Sequence, residues 1–166
     1  MPAIELRPAT LADAPAIAAI YNYEVENTAV TMDLVPRSLE EQQSYIATRS
    51  GAFATIVAVD PASGEVVGWG ALSPYKDRAG FATTVEDSIY IRRDRTGQGI
   101  GRILLGHLIG IARDHGFHCV MARIGATTEA SLALHSKLGF VEVGVEREVA
   151  RKFGRWIDIA TMQLLL

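Results

Sequence analysis

Strand-like and helix-like segments follow one another along this chain in an order that constrains its fold more than any single motif does. Alternating apolar and polar residues predict a strand, and apolar residues three or four positions apart predict a helix. The sequence predicts a strand, two helices, three strands, a helix, a strand, a helix and two strands. This order predicts a mixed α/β, or α+β, fold in which a central sheet carries helices on its faces.

Cap and turn residues set the bounds of these segments. Thr10 with Asp13, and Ser38 with Glu41, have the spacing of capping boxes, so helices are predicted to begin there. The later helices are predicted over residues 100–116 and 129–138, where glycines end the apolar periodicity. The predicted strands are residues 4–7, 53–59, 66–72, 85–91, 119–124, 140–149 and 156–164.

Composition excludes several classes of protein. A chain of 166 residues with 49% apolar and 21% charged residues fits one folded domain, residues 1–166. A net charge of -3 disfavours a general nucleic-acid binder. The single Cys119 offers no disulfide or zinc pair, and Met1 to Pro8 lacks the pattern of a secretory signal. Because no apolar run reaches the roughly 20 residues of a membrane span, we expect a cytoplasmic protein without membrane partners.

A glycine-rich loop separates the predicted strand 85–91 from the helix that follows. Glycines at 97, 99 and 101 allow a ligand to approach the main chain closely, and the first amides of the helix lack partners within it. The partial positive charge at a helix N-terminus favours an anion such as a pyrophosphate. Four arginines would add attraction for phosphates: Arg92, Arg93, Arg95 and Arg102. A flexible turn with a solvated charge cluster is the alternative.

Two other phosphate-binding motifs fit this loop less well. The spacing is not G-x-G-x-x-G, and no acidic residue follows about 20 positions later to hold a ribose. The pattern G-x-x-x-x-G-K-S/T fails because Arg102 and Ile103 replace its last two members. Hydride transfer and nucleotide hydrolysis are therefore disfavoured.

The segment Thr96–Gly101 resembles the signature of the GNAT superfamily of N-acetyltransferases, R/Q-x-x-G-x-G/A, with Thr96 in place of Arg or Gln. Residues 128–140 resemble the second cofactor segment of that superfamily, with Thr128 in place of Asn and His135 in place of Tyr. Further stretches are similar to the phosphinothricin and methionine sulfoximine acetyltransferase branch: 4–10, 78–81, 84–86, 95–97, 134–135 and 154–158. The resemblance implies a twisted, mostly antiparallel sheet of about six to seven strands flanked by about four helices.

The resemblance also implies that acetyl-coenzyme A is the cosubstrate and that no metal takes part. The main chain of Ile89, Tyr90 and Ile91 would bind the pantetheine arm, with Thr128 and Ser131 near the thioester end. The residues expected around the pyrophosphate are Arg95, Thr96, Gly97, Gln98, Gly99, Ile100, Gly101 and Arg102.

Acetyl transfer to an amine requires a proton acceptor, because an amine attacks a thioester only as the free base. Glu86 is the first candidate, since partial burial on its strand would raise its pKa; a solvent-facing glutamate is the alternative. His135 is the second candidate, at the place where many relatives carry a tyrosine that protonates the departing thiolate. A structural role is the alternative for His135. A main-chain amide near Tyr90 or Ile91 is expected to stabilise the oxyanion.

The expected acceptor is a small, amino-acid-like amine. Arg78 can bind a carboxylate or a tetrahedral oxyacid through two hydrogen bonds. The resemblance also places Lys76, Phe81 and Met32 near the acceptor. Phe81 and Met32 stand where relatives often have Tyr and Phe, which favours methionine sulfone or sulfoximine over phosphinothricin. Core packing is the alternative for these two.

Two other functions stay open at this point. One is acetylation of a protein N-terminus or lysine, which would need an open peptide groove. The other is a module that senses acyl-coenzyme A without catalysis. The resemblance further implies a homodimer, to which the apolar final strand, residues 157–166, contributes unless it lies inside the sheet.

Overall fold

The computed structural model describes residues 3–125 and 128–166; Met1 and Pro2, which begin the segment considered for a signal, lie outside them. The described helices are α1 (Ala14–Asn27), α2 (Leu39–Ala47), α3 (Ile100–Asp114) and α4 (Glu129–Lys137). The strands are β1 (Glu5–Pro8), β2 (Ile56–Asp60), β3 (Glu65–Pro74), β4 (Thr84–Ile91), β5 (Cys119–Gly125), β6 (Val141–Lys152) and β7 (Arg155–Leu165). The predicted order of elements is confirmed.

The strands form one sheet in the order β1-β2-β3-β4-β5-β7-β6. Neighbouring strands are antiparallel except for β4 and β5, which are parallel. The predicted mixed, mostly antiparallel sheet with helices is therefore confirmed. Strand β7 hydrogen-bonds to β5 on one side and to β6 on the other, so the final strand lies inside the sheet and β6 forms its edge.

The parallel pair β4 and β5 is joined over only part of its length. Strand β4 pairs with β3 from Val85 to Ile91, but with β5 only over Thr84–Glu86. In the described part of the chain, the β5-facing edge of β4 beyond Glu86 therefore has no strand partner. This gap positions the candidate site described below.

Apolar side chains cover both faces of the sheet. Val85 of β4 packs with Leu104 and Leu108 of α3, whose apolar periodicity predicted a buried helix face. On the opposite face, Trp69 of β3 packs with Tyr21 of α1 and against Tyr90 of β4. Removal of apolar surface from water, at roughly 25 cal/mol per Å², holds the helices against the sheet.

The capping residues explain where the first two helices begin. The hydroxyl of Ser38 accepts the Glu41 N–H at 3.1 Å, and the Glu41 carboxylate accepts the Ser38 N–H at 2.7 Å. This predicted capping box opens α2. The box at Thr10 opens a single 3-10 turn, so α1 starts only at Ala14. Another 3-10 turn occupies residues 51–53, and the strand predicted from residue 53 therefore begins at Ile56.

Hydropathy of the helices bears on membrane insertion. Within residues 3–125 and 128–166, every helix is too short or too polar to cross a bilayer.

Candidate active site

The gap between β4 and β5 opens into a cavity of about 380 Å³. Its walls include Glu86 and Asp87 of β4, Arg123 of β5, His135 of α4 and Met32 of the loop after α1. Neighbouring residues of a strand point to opposite faces of the sheet, so Glu86 and Asp87 approach this cavity from opposite sides. The cavity therefore runs through the sheet at the gap.

Glu86 lies in an environment that raises the pKa of its carboxyl group. It is half-buried on β4. Burial raises the pKa of Glu86, the charge of Arg123 acts to lower it, and the charge of Asp87 raises it further. The net shift is upward, toward the pH range in which an amine must lose its proton.

His135 and Asp87 form a buried pair on the other side of the gap. Nε2 of His135 lies 3.1 Å from Oδ2 of Asp87, and each side chain is only 2% exposed. Nδ1 of His135 donates to the main-chain oxygen of Ser131 at 2.8 Å. The Ser131 carbonyl only accepts, and a carboxylate at Asp87 accepts as well, so this arrangement suits an imidazole with a proton on both ring nitrogens.

The protonation of His135 reflects two opposing effects. Burial acts to lower the pKa of His135, but the hydrogen bond and charge of Asp87, together with the Ser131 carbonyl, outweigh it and raise that pKa. The imidazolium therefore persists to higher pH than that of a free histidine. In this state His135 can donate a proton but cannot accept one.

Asp87 was not among the site residues that the sequence indicated. The alternation of β4 places Asp87 on the same face as Val85, Ile89 and Ile91. A carboxylate on this otherwise apolar face was the one sequence feature that could have identified Asp87 as a site residue. Its Oδ2 contacts His135, whereas its buried Oδ1 has no hydrogen-bond partner among the described residues. One carboxylate oxygen is thus free for a group that enters the cavity.

A second cleft, of about 530 Å³, adjoins the first cavity. Both spaces are lined by Ile89, Tyr90, Thr128 and Ser131, so they share a wall. The predicted cofactor residues that line the cleft are Ile89, Tyr90, Ile91, Arg95, Thr96, Gly97, Gly99, Ile100, Gly101, Arg102, Thr128 and Ser131. Gln98 is not in its wall, and its amide donates to the Asp94 carbonyl at 3.4 Å.

The conformation of the glycine loop explains its composition. Gly97 and Gly99 have φ angles of 75° and 84°, which residues with side chains rarely adopt. Gly99 directly precedes α3 and caps it. A Cβ at Gly101 would lie 3.1 Å from Leu134 Cδ2, so glycine also permits close packing of α3 against α4. The main chain can therefore approach a ligand at the start of α3.

Three of the four arginines around this loop are paired with carboxylates. Arg92 contacts Asp94 at 2.7 Å and Glu65 at 3.2 Å. Arg93 contacts Glu24 at 2.5 Å, and Arg95 contacts Asp60 at 2.6 Å. These pairs tie the loop to α1 and to the β2-β3 turn.

The four arginines predicted to attract phosphates therefore differ in their partners. Only Arg102 has no carboxylate within 4 Å in the part of the chain that the structure describes. The main-chain N–H of Arg102 already donates to the Gly99 carbonyl at 3.1 Å, so its guanidinium is the group available to the cleft.

Residues 6–161 match the family model described as an acetyltransferase (GNAT) domain. The chain belongs to the GNAT acetyltransferase family. It is 40% identical over 161 residues to an L-methionine sulfoximine/L-methionine sulfone acetyltransferase of Pseudomonas aeruginosa, with 97% of this chain and 94% of that protein covered. The predicted family and branch are thus confirmed.

Two solved acetyltransferase structures are similar over nearly the whole chain. A ribosomal-protein-alanine N-acetyltransferase of Brucella melitensis superposes with a TM-score of 0.94 at 40% identity, covering 98% of this chain and 99% of that one. A phosphinothricin acetyltransferase of Sinorhizobium meliloti, solved with acetyl-coenzyme A, has a TM-score of 0.93 at 36% identity, covering 98% and 88%.

The residues predicted to bind the acceptor of this GNAT enzyme do not all lie in one cavity. Met32 lines the cavity that contains Glu86. Lys76, Arg78 and Phe81 line a separate, open depression that shares no lining residue with that cavity. Phe81 packs edge-to-face on Tyr75 there, with 5.8 Å between ring centroids, and is only partly buried.

Proposed function

We propose that this GNAT acetyltransferase transfers the acetyl group of acetyl-coenzyme A to the α-amine of a small amino-acid analogue such as methionine sulfone, methionine sulfoximine or phosphinothricin. The observation that carries the proposal is the cavity in the gap between β4 and β5. It brings Glu86 and the Asp87-His135 pair together and adjoins the cleft of the glycine loop. The names of the Pseudomonas and Sinorhizobium relatives support the substrate class.

The cleft fits acetyl-coenzyme A. Main-chain groups of β4 beyond Glu86 lack a β5 partner and can bond the amides of an extended pantetheine arm, as an added strand would. The backbone at Gly97 and Gly99, the N-terminus of α3 and the guanidinium of Arg102 suit a pyrophosphate. When bound, acetyl-coenzyme A supplies the thioester carbonyl that the amine attacks.

Glu86 acts as the general base in this proposal. Its carboxylate takes a proton from the acceptor's ammonium group, directly or through a water, and the free amine forms a bond to the carbonyl carbon. A main-chain N–H near Tyr90 or Ile91 donates to the oxygen that becomes negative. The C–S bond then breaks, the nitrogen of the new amide releases its excess proton to water, and the departing thiolate takes up a proton.

His135 and Ser131 supply that last proton. Ser131 lines both the cavity and the cleft, and its Oγ lies 3.4 Å from Nδ1 of His135. The hydroxyl donates to the thiolate and takes a proton from Nδ1 of the imidazolium, which contacts both the Oγ and the carbonyl oxygen of Ser131. Asp87 holds the ring in place. Glu86 and His135 thus approach the reaction from opposite sides of the sheet, one removing a proton and the other providing one.

The similarity to a ribosomal-protein-alanine N-acetyltransferase makes a peptide acceptor the second candidate. The walls of the Glu86 cavity favour a small acceptor instead. Lys152 of β6 donates to the Thr31 carbonyl at 2.8 Å and to the Glu24 carbonyl at 3.4 Å. These bonds hold the β6-β7 hairpin against the loop that carries Met32, and Val149 and Ala150 of β6 line the cavity.

The experiment is thiol release from acetyl-coenzyme A with a panel of acceptors: methionine sulfone, methionine sulfoximine, phosphinothricin, methionine and a peptide with an N-terminal alanine. We expect turnover with the oxidised methionine analogues and little with the peptide. Efficient turnover of the peptide alone would favour the second candidate. Tight binding of acetyl-coenzyme A without turnover of any amine would contradict the enzyme assignment of the site and indicate a sensor.

A homodimer is part of the proposal. The edge strand β6 exposes apolar side chains, among them Val141 at 64% and Val143 at 59%, and exposed apolar patches on a soluble surface are typical of interfaces. Sedimentation velocity at micromolar concentration measures the association state. Replacement of Val143 by Glu is expected to shift a dimer toward the monomer.

A further inference from the structure

The geometry of an α-amino acid limits where its carboxylate can bind. The amine and the carboxylate are attached to the same carbon, so the groups that recognise them must be neighbours. If Glu86 takes the amine proton, a cation for the carboxylate must line the cavity of Glu86. Arg78 lies in the separate depression of residues 75–78 and Phe81. Arg123 lies in the cavity itself.

Arg123 is next to Glu86 across the gap. Met121 of β5 is the register partner of Glu86, and Arg123 follows two residues later on the same face of β5. Two residues of a parallel strand advance about 6.6 Å, which places Arg123 one step beyond Glu86, where the strands are no longer paired. Its charge is felt at Glu86, where it acts against the effect of burial on the pKa of that carboxyl group.

The guanidinium of Arg123 remains available to a ligand. Nη2 contacts Oε2 of Glu146 on β6 at 3.2 Å, and the two side chains are 45% and 50% exposed. A pair this exposed is weak, because water screens it. A guanidinium carries five N–H donors, so one contact with Glu146 leaves others for a carboxylate.

We propose that Arg123 binds the α-carboxylate of the acceptor and so selects α-amino acids over simple amines. This inference rests on the proposed function and names the residue that selects its class of substrate.

The test compares two acceptors, methionine sulfone and the amine obtained by removing its carboxyl group. The measured quantity is the ratio of kcat/KM for the amino acid to kcat/KM for the amine. Both acceptors use the same base, so any change in Glu86 cancels in this ratio. We expect Arg123→Gln to lower the ratio about 10- to 100-fold, the effect of losing a hydrogen bond between charged groups.

Two variants act as controls. Glu146→Gln removes the surface partner of Arg123 and is expected to keep the wild-type ratio. Arg123→Lys keeps the charge but loses the planar fork, so an intermediate ratio is expected. Wild-type affinity of Arg123→Gln for acetyl-coenzyme A, measured by calorimetry, shows that this variant is folded.

The outcomes separate this inference from the proposed function. An unchanged ratio in Arg123→Gln overturns the role of Arg123, whether or not Arg78→Gln lowers the ratio in its place. A wild-type enzyme that acetylates neither acceptor overturns the proposed function, and the role of Arg123 with it. A wild-type enzyme that prefers the amino acid, with a preference lost only in the Arg123 variants, supports both.

Discussion

Nε2 of His135, on α4, lies 3.1 Å from Oδ2 of Asp87, on β4. The residues are 48 positions apart in sequence, and both side chains are almost fully buried. Two buried charges cost desolvation energy that is offset only when they satisfy each other. Because Nδ1 of His135 contacts the Ser131 carbonyl, these contacts fix the orientation of the imidazole and favour its protonated form.

Replacing Asp87 by Asn tests this relationship. Asn keeps the shape but removes the charge that raises the pKa of His135 above the ordinary 6.5. If the protonated imidazole is needed for turnover, activity is lost as pH rises through that pKa. We expect the alkaline limb of kcat against pH to move to lower pH in Asp87→Asn. An unmoved limb would remove His135 from the proton transfer.

The same variant has a consequence for stability with a defined sign. A group whose pKa is raised on folding contributes stability that is complete below its unfolded pKa, near 6.5 for histidine, and is lost as pH rises through the folded pKa. The free energy of unfolding of Asp87→Asn should therefore fall below that of the wild type by about 1–3 kcal/mol at pH values below this window. Denaturant unfolding at several pH values measures it, and the deficit should shrink as pH increases.

Replacing Glu86 by Gln tests the general base. The amide has the same shape but cannot accept the amine proton, so kcat is expected to fall about 100-fold or more. The affinity for acetyl-coenzyme A should stay near that of the wild type, because the cleft is lined by other residues. In the wild type, the acid limb of kcat/KM should lie above the ordinary pKa of glutamate, since burial raises the pKa of Glu86. Full activity in Glu86→Gln would exclude this residue as the base.

The sequence predicted features that depend on neighbouring residues. The capping box of Ser38 and Glu41 and the glycine loop before α3 are local patterns, and the structure contains both. The pairing of Arg93 with Glu24, and of Arg95 with Asp60, joins segments that only the folded chain brings together. The sequence therefore predicted the arginines of the loop but not their carboxylate partners.

The location of the acceptor residues also depends on the tertiary fold and could not be predicted from local patterns. The residues 76–81 are close in sequence and stay together, but their distance from Glu86 is set by how β3 and β4 are connected, which no local pattern encodes. Asp87 was missed for a related reason: its partner His135 lies on a helix that reaches β4 only in the tertiary fold.

Gly97 and Gly64 form a matched pair that tests the glycine loop. Both have positive φ angles, 75° and 72°, and a Cβ at either would meet open space. Alanine at each position should therefore cost a similar amount of stability, about 1 kcal/mol, from backbone strain alone. Only Gly97 lines the cleft, so Gly97→Ala should weaken acetyl-coenzyme A binding severalfold while Gly64→Ala should not. Equal affinities in calorimetry would mean that the loop backbone does not bind the cosubstrate.

Lys152 tests whether the wall of the cavity matters for the acceptor. Its ammonium group is buried and donates to the carbonyls of Thr31 and Glu24. Lys152→Met has a similar length but leaves these carbonyls without the donor, so the free energy of unfolding should fall by about 1–3 kcal/mol. Release of the loop that carries Met32 should also raise KM for the acceptor more than it changes the affinity for acetyl-coenzyme A.

The neighbouring Arg151 provides the control for Lys152. It is exposed and its guanidinium carbon lies 5.3 Å from the ring centroid of Trp156, away from the loop after α1. Arg151→Met removes a cation from the same strand and should change stability by no more than about 0.5 kcal/mol. If both variants raise the acceptor KM equally, the effect comes from the charge of β6. If Lys152→Met alone raises it, the hydrogen bonds of Lys152 to the loop shape the acceptor cavity.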